Sequence, residues 1–231
     1  MNLQSLSTSH TRVLGHTRLG LPILAHDFGP QGPSLLLLGG VHGDEIEGVT
    51  LMRHLLSSWT NSYKYNFGSW LIPEVNPEGV LLKTRTNSAG IDLNRNLPTK
   101  DWTAEVQNPR YTPGPSPNSE PENQILTHVI QTLKPFLIIS FHSWKPVILI
   151  NGDCDQEAQL LSQHCGYEAR RDIGYPTPGS LGTYSGIEKN MPTITFEIER
   201  GLALDKVVEK FSPAVQTLMD WLEKKRGATI V

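Results

Sequence analysis

At 231 residues the chain is long enough to bury one sizeable core without a second domain. Apolar content of 38%, charged content of 19% and a formal net charge of -3 describe an ordinary globular protein. No apolar run approaches the roughly 20 residues of a membrane span, and there is no basic excess of the kind that general nucleic-acid binding needs. One domain over residues 1–231 is expected, with neither membrane nor nucleic acid as partner.

The first twenty residues lack a basic start followed by an apolar block, which predicts a cytoplasmic protein. Residues 11–17 and 21–28, separated by Arg18-Leu19-Gly20, predict a β-hairpin. Residues 34–38 are mostly leucine and are stopped by Gly39-Gly40, the pattern of a buried strand flanked by helices. Ile46, Val49, Leu51, Met52, Leu55, Leu56 and Trp59 recur mainly at helical steps and predict a helix over residues 45–59. A strand over 70–75 and a turn at Asn76-Pro77-Glu78-Gly79 follow.

The Pro-, Asn- and Ser-rich residues 108–119 predict a long surface loop, a kind of segment that often borders a site. Ser119-Glu120-Pro121-Glu122 has the S-x-x-E pattern of a capping box, opening a helix that runs to about residue 133. Strands over 136–141 and 146–150, a helix over 156–164, a strand ending near Arg171, a strand over 193–198 and a helix over 204–223 complete the pattern. The alternation predicts the α/β class: a single-domain sandwich with a mixed, largely parallel central sheet flanked by helices. Cys154 and Cys165 form no C-x-x-C pair and read as reduced structural thiols.

Ligand sites in open α/β sheets lie beyond the carboxyl ends of the strands. That rule selects His42 after the first apolar strand, His142 after the second, and Glu197 near the end of the last. His42 and Glu45 stand three residues apart at a strand-to-helix junction, where a turn lets an imidazole and a carboxylate converge on one cation. A catalytic zinc takes a third protein ligand and keeps a position for water, and His142 is the best candidate for it. The other six histidines read as structural or solvated. Residues 85–96 are dense in polar groups: either a solvated loop with Arg95 paired to Asp92, or an arginine fork with a neighbouring asparagine that grips a carboxylate. Glu197 and Glu199 share one face of their strand, so spacing does not choose between them as a base.

Taken together, His42-x-x-Glu45, Asn76-Pro77-Glu78-Gly79, Arg85 before Asp92-Leu93-Asn94-Arg95-Asn96, Ser140-Phe141-His142 and Thr195-Phe196-Glu197 stand in the order found in the M14 zinc carboxypeptidases. The resemblance spans residues 35–200. With Ser119-Glu120-Pro121-Glu122 and Tyr175-Pro-Thr-Pro-Gly179-Ser180 added, the chain is similar to the short bacterial murein peptide amidases of that family. The resemblance implies one zinc ion per chain, held by His42, Glu45 and His142. It implies that Arg85 polarises the scissile carbonyl, that Asn94 and Arg95 grip the terminal carboxylate of a small peptide, and that Glu197 moves the proton. A mobile tyrosine covers the substrate in that family; Tyr175 is named for it here, with Tyr184 the competitor. The implied activity is hydrolysis of the γ-D-glutamyl–meso-diaminopimelate amide bond in peptidoglycan peptides, as in cell-wall recycling. An amidohydrolase of the aspartoacylase and succinylglutamate desuccinylase type, acting on N-acyl amino acids, is the alternative. A third reading is an inactive peptide- or protein-binding module.

Overall fold

A computed structural model of the chain describes residues 9–106 and 108–227. Among them, eight strands form one sheet: β1 (His10–His16), β2 (Pro22–Phe28), β3 (Ser34–Leu38), β4 (Gly68–Ile72), β5 (Leu137–Trp144), β6 (Val147–Asn151), β7 (Ala169–Arg170) and β8 (Thr193–Glu199). Their order across the sheet is β1-β2-β4-β3-β5-β8-β6-β7. The middle, β4, β3, β5 and β8, is parallel. Antiparallel pairings join β1 to β2, β2 to β4 and β6 to β8, so the sheet is mixed around a parallel centre.

Alternation along β3 divides the core in two. Leu35 and Leu37 join the cluster formed with α1 (Ile46–Ser62), α4 (Asp155–Cys165) and α5 (Leu204–Gly227). Leu36 and Leu38 join the cluster on the other face with Leu126, Val129 and Ile130 of α3 (Pro121–Leu133). Strand side chains point alternately to the two faces, so a strand covered on both sides must be apolar at every position. Each fully buried leucine contributes about 2 kcal/mol. Cys154 and Cys165 are free and buried, and burial pushes the Cys154 thiol up to about 12. Among the described residues, no helix is long and apolar enough to cross a membrane.

Two local expectations are revised, and one element is added. The segment at Asn76 is the start of a short helix, α2 (Pro77–Leu82), rather than an isolated turn. Asn76 Oδ1 accepts from the Gly79 amide at 2.8 Å and Pro77 occupies the first helical turn, where its missing N–H costs nothing. The capping box of α3 does not form: Ser119 Oγ donates to Glu120 Oε1, and the residue preceding the helix, Glu120, makes no capping bond. Arg18 and Asn87 hold the Glu120 carboxylate instead. A π-helical segment at Gly182–Ile187 carries no apolar periodicity that would announce it.

The chains leaving β3 and β4 stay side by side past their last paired residues. Val75 N donates to Gly39 O at 3.0 Å and Asn76 N to Gly40 O at 2.8 Å. This keeps the turn that carries His42 against the start of α2.

Candidate metal and catalytic site

His42 lies in the turn after β3, and Glu45 is the residue before α1. Gly43 sits flush on α2: a Cβ there would overlap the Gly79 backbone, so only glycine lets the two segments close together. His142 and Glu197 are direct partners in the β5–β8 register, which sets their side chains next to each other on one face.

The three residues selected from the sequence as candidate ligands converge. His42 Nδ1 lies 3.0 Å from Glu45 Oε1, His142 Nδ1 lies 2.9 Å from Glu45 Oε2, and the two Nδ1 atoms are 3.1 Å apart. All three residues are buried, and no other group of this kind occurs among the described residues. The remaining ring nitrogens are already engaged, His42 Nε2 with Asp92 Oδ1 at 3.0 Å and His142 Nε2 with Ser140 Oγ at 3.0 Å. These outer partners turn both Nδ1 atoms inward. Two imidazole nitrogens and a carboxylate oxygen thus face one point, and an N, N, O donor set suits a divalent transition metal. The residues therefore fit a metal ion. Although burial opposes it, the charges of His42 and His142 and their bonds hold the Glu45 carboxyl well below the usual range. Burial likewise works against ionisation of Asp92, yet His42 and Arg85 keep its carboxyl low.

Asp92 also fixes Arg85, whose Nε donates to Oδ2 at 2.9 Å while Nη1 donates to Glu45 Oε1 at 3.2 Å. The pairing of Asp92 with Arg95 is thus replaced by pairing with Arg85 and His42. Arg95 Nη1 instead donates to Asn94 O at 2.7 Å. Asn94 Oδ1 accepts from Leu181 N at 2.8 Å, which leaves the amide's Nδ2 donors for a ligand. The guanidiniums of Arg85 and Arg95 each stand 5.2 Å from the ring centre of Tyr111.

Glu197 is buried, and its Oε2 has no hydrogen-bond partner among the described residues. Burial, with Glu45 adding to it, pushes its carboxyl up to about 7 against the opposing charges of His142 and Arg85. Glu199 is exposed and lies outside the cleft lining. Tyr175 lines the cleft, its ring edge-on to Trp144 at 5.7 Å. Tyr184 is 1% exposed and accepts from Gln131 Nε2 at 2.9 Å, so it belongs to the core.

Over most of its length the chain matches the zinc carboxypeptidase family, Peptidase M14, at residues 3–200. This chain belongs to that family. It is 31% identical over 227 residues to murein peptide amidase A of Escherichia coli K12, covering 93% of this chain and 91% of that one. Identity to murein peptide amidase A of Vibrio campbellii is 29% over 219 residues, with coverages of 89% and 85%. The crystal structure of a murein-tripeptide amidase from Escherichia coli O157 superposes with a TM-score of 0.77 at 29% identity, covering 90% of this chain and 91% of that one. The protein is a hydrolase of the metallopeptidase class.

Within this family member, several cleft residues carry no sequence signal. Tyr111 sits in the Pro-rich loop, and Trp144, Asn151, Arg110 and Arg200 match no spacing rule, yet all line the cleft. Of the two adjacent arginines at 170 and 171, only Arg171 does so. The loop carrying Tyr175 is fastened by Gly179, whose φ is +71° and whose oxygen accepts from Leu97 N at 3.0 Å. A Cβ at Gly179 would overlap the Arg95 carbonyl.

Proposed function

We propose that the protein is a zinc-dependent amidase that cuts the γ-D-glutamyl–meso-diaminopimelate bond of murein peptides in the cytoplasm, as part of cell-wall peptide recycling. The observation that carries the reading is Glu197: a buried carboxylate with one unpartnered oxygen, in direct register with His142. The two similar amidases of Escherichia coli and Vibrio campbellii act on murein peptides by their names, which supports this substrate class over N-acyl amino acids.

His42, Glu45 and His142 would hold the ion, one per chain. Zinc is the default for two histidines and a glutamate, and when bound it supplies Lewis acidity that makes water a nucleophile near neutral pH. Glu197 takes a proton from the attacking water and gives it to the amine nitrogen as the C–N bond breaks, yielding a carboxylate and a free amine. Arg85, held in place by Asp92, presents fixed positive charge to the carbonyl oxygen as negative charge develops on it. Arg95 and the Asn94 Nδ2 donors hold the carboxylate of the leaving residue. Tyr175, edge-on to Trp144 in the cleft lining, would cover the bound peptide.

Mass-spectrometric product analysis with L-Ala-γ-D-Glu-meso-diaminopimelate tests this. Free diaminopimelate is expected, its release lost on chelation and slowed about 1000-fold by Glu197→Gln. Hydrolysis of N-acyl amino acids without cleavage of the tripeptide would sink the murein reading in favour of the desuccinylase type.

A further inference from the structure

Besides Arg85 and Arg95, two more arginines of the cleft lining, Arg110 and Arg200, meet at one point. Arg200 Nη2 donates to the Asp44 carbonyl at 2.9 Å and lies 2.6 Å from Asp44 Oδ2. Arg110 Nη2 reaches the same Oδ2 at 3.1 Å. Two guanidiniums share one carboxylate, so the group carries surplus positive charge. Asp44 lies between His42 and Glu45 in the chain. Arg200 directly follows β8, its amide bonded to Trp144 O at 3.0 Å, and its charge reaches the Glu197 carboxyl. The surplus is therefore fixed beside the reacting centre, apart from the Asn94–Arg95 wall. Stability gives little reason for this arrangement: the Arg110 and Arg200 side chains are 46% and 38% exposed, and ion pairs of that exposure contribute little.

The γ-D-glutamyl substrate proposed for this cleft supplies a reason, and the role assigned to the two arginines rests on that substrate. A γ-linked D-glutamyl residue keeps a free α-carboxylate on the acyl side of the bond to be cut; an α-linked peptide of neutral residues has no charge there. We infer that Arg110 and Arg200 bind this α-carboxylate and set the preference for a γ-D-glutamyl acyl group. Guanidinium forks give short, strong, directional bonds to a carboxylate, and Asp44 holds the two forks in place before the substrate arrives.

The test compares kcat/KM for L-Ala-γ-D-Glu-meso-diaminopimelate and for the same tripeptide with its glutamyl α-carboxylate converted to an amide. The zinc-loaded parent, Arg110→Gln, Arg200→Gln and Arg200→Lys are measured side by side. The parent should prefer the free acid by about 10- to 100-fold. Each glutamine variant should bring that ratio toward unity, and Arg200→Lys should restore part of it. Because the ratio is taken within one preparation, a partly unfolded variant does not distort it. A parent that cuts both peptides equally, or variants that slow both and keep the ratio, would overturn this assignment while leaving the murein reading intact. A folded, zinc-loaded parent that cuts neither peptide would overturn both.

Discussion

Among the buried acids of the described residues, two sets can be set side by side, Glu45, Asp92 and Glu197 at the carboxyl end of the sheet and Glu78, Glu120 and Glu122 under the N-terminal hairpin. In the second set almost every oxygen meets a donor of the chain itself. Glu78 accepts from the amides of Leu19 at 2.7 Å and Ser88 at 3.2 Å. Glu120 accepts from Arg18 Nε at 3.0 Å, Asn87 Nδ2 at 2.8 Å and Ser119 Oγ at 2.8 Å. These bonds fasten the turn between β1 and β2 to α2 and α3. The first set is arranged differently, with two imidazole Nδ1 atoms aimed at each other and Glu197 Oε2 left without a partner among the described residues. A set of acids that satisfies itself is a fastening; a set that leaves acceptors converging on one point is a receptor for a cation or a proton.

Three measurements bear on that contrast. The largest effect is expected at Glu197 in metal-stripped protein. Its carboxyl sits near 7 when folded, above the ordinary glutamate value of 4.5. A raised acid pKa means that stability is complete below the unfolded value and is lost as pH rises through the folded one. Glu197→Gln should therefore melt higher than the parent at pH 8, by at most about 3 kcal/mol, with the difference gone near pH 4. Adding zinc should remove this advantage, because the ion then offsets the carboxylate's charge. An unchanged gap between zinc-loaded proteins would count against a cation in this site.

A smaller effect is expected in the fastening. Arg18→Met should cost about 2 kcal/mol in urea unfolding, less than a fully buried pair because the arginine side chain is half exposed. Zinc stoichiometry should not change; a lost ion would mean that the two acid sets are not separate. Smallest is Glu122, whose Oε1 has no partner among the described residues and whose carboxyl is raised by burial, with Glu78 and Glu120 adding. Glu122→Gln should stabilise the protein by about 1 kcal/mol at pH 8 and by nothing near pH 4. Here, unlike at Glu197, zinc should make no difference.

How much was legible in the sequence depended on the range of the interactions. β3 stood out because a strand covered on both faces has no polar position, and α1 because its buried residues repeat at helical steps. That His42, Glu45 and His142 meet was readable from the rule that sites gather at the carboxyl ends of strands, although β5 runs past the expected residue 141 to Trp144 and so holds His142 within it. Residues whose partners are remote gave no local sign: Arg18 meets Glu120 102 positions away, and Arg200 meets Asp44 156 positions away. The S-x-x-E pattern at Ser119 misled for the same reason, since Ser119 Oγ is engaged by Asn96 from 23 positions away and Glu122 by Asn87 from 35. α2 is six residues long, too short for apolar periodicity to declare it. The role of Asp92 was hidden by its neighbour Arg95, the obvious partner by sequence and the wrong one in space.

The pairing of β5 with β8 sets His142 opposite Glu197 through the backbone of two central parallel strands. The segments that carry Arg110, Tyr111, Arg171 and Tyr175 hang from that frame as loops and short turns. Substitutions in those loops can alter the lining of the cleft while the register of the two strands stays as it was. An engineer reshaping the cleft should therefore exchange loops and leave the two strands untouched.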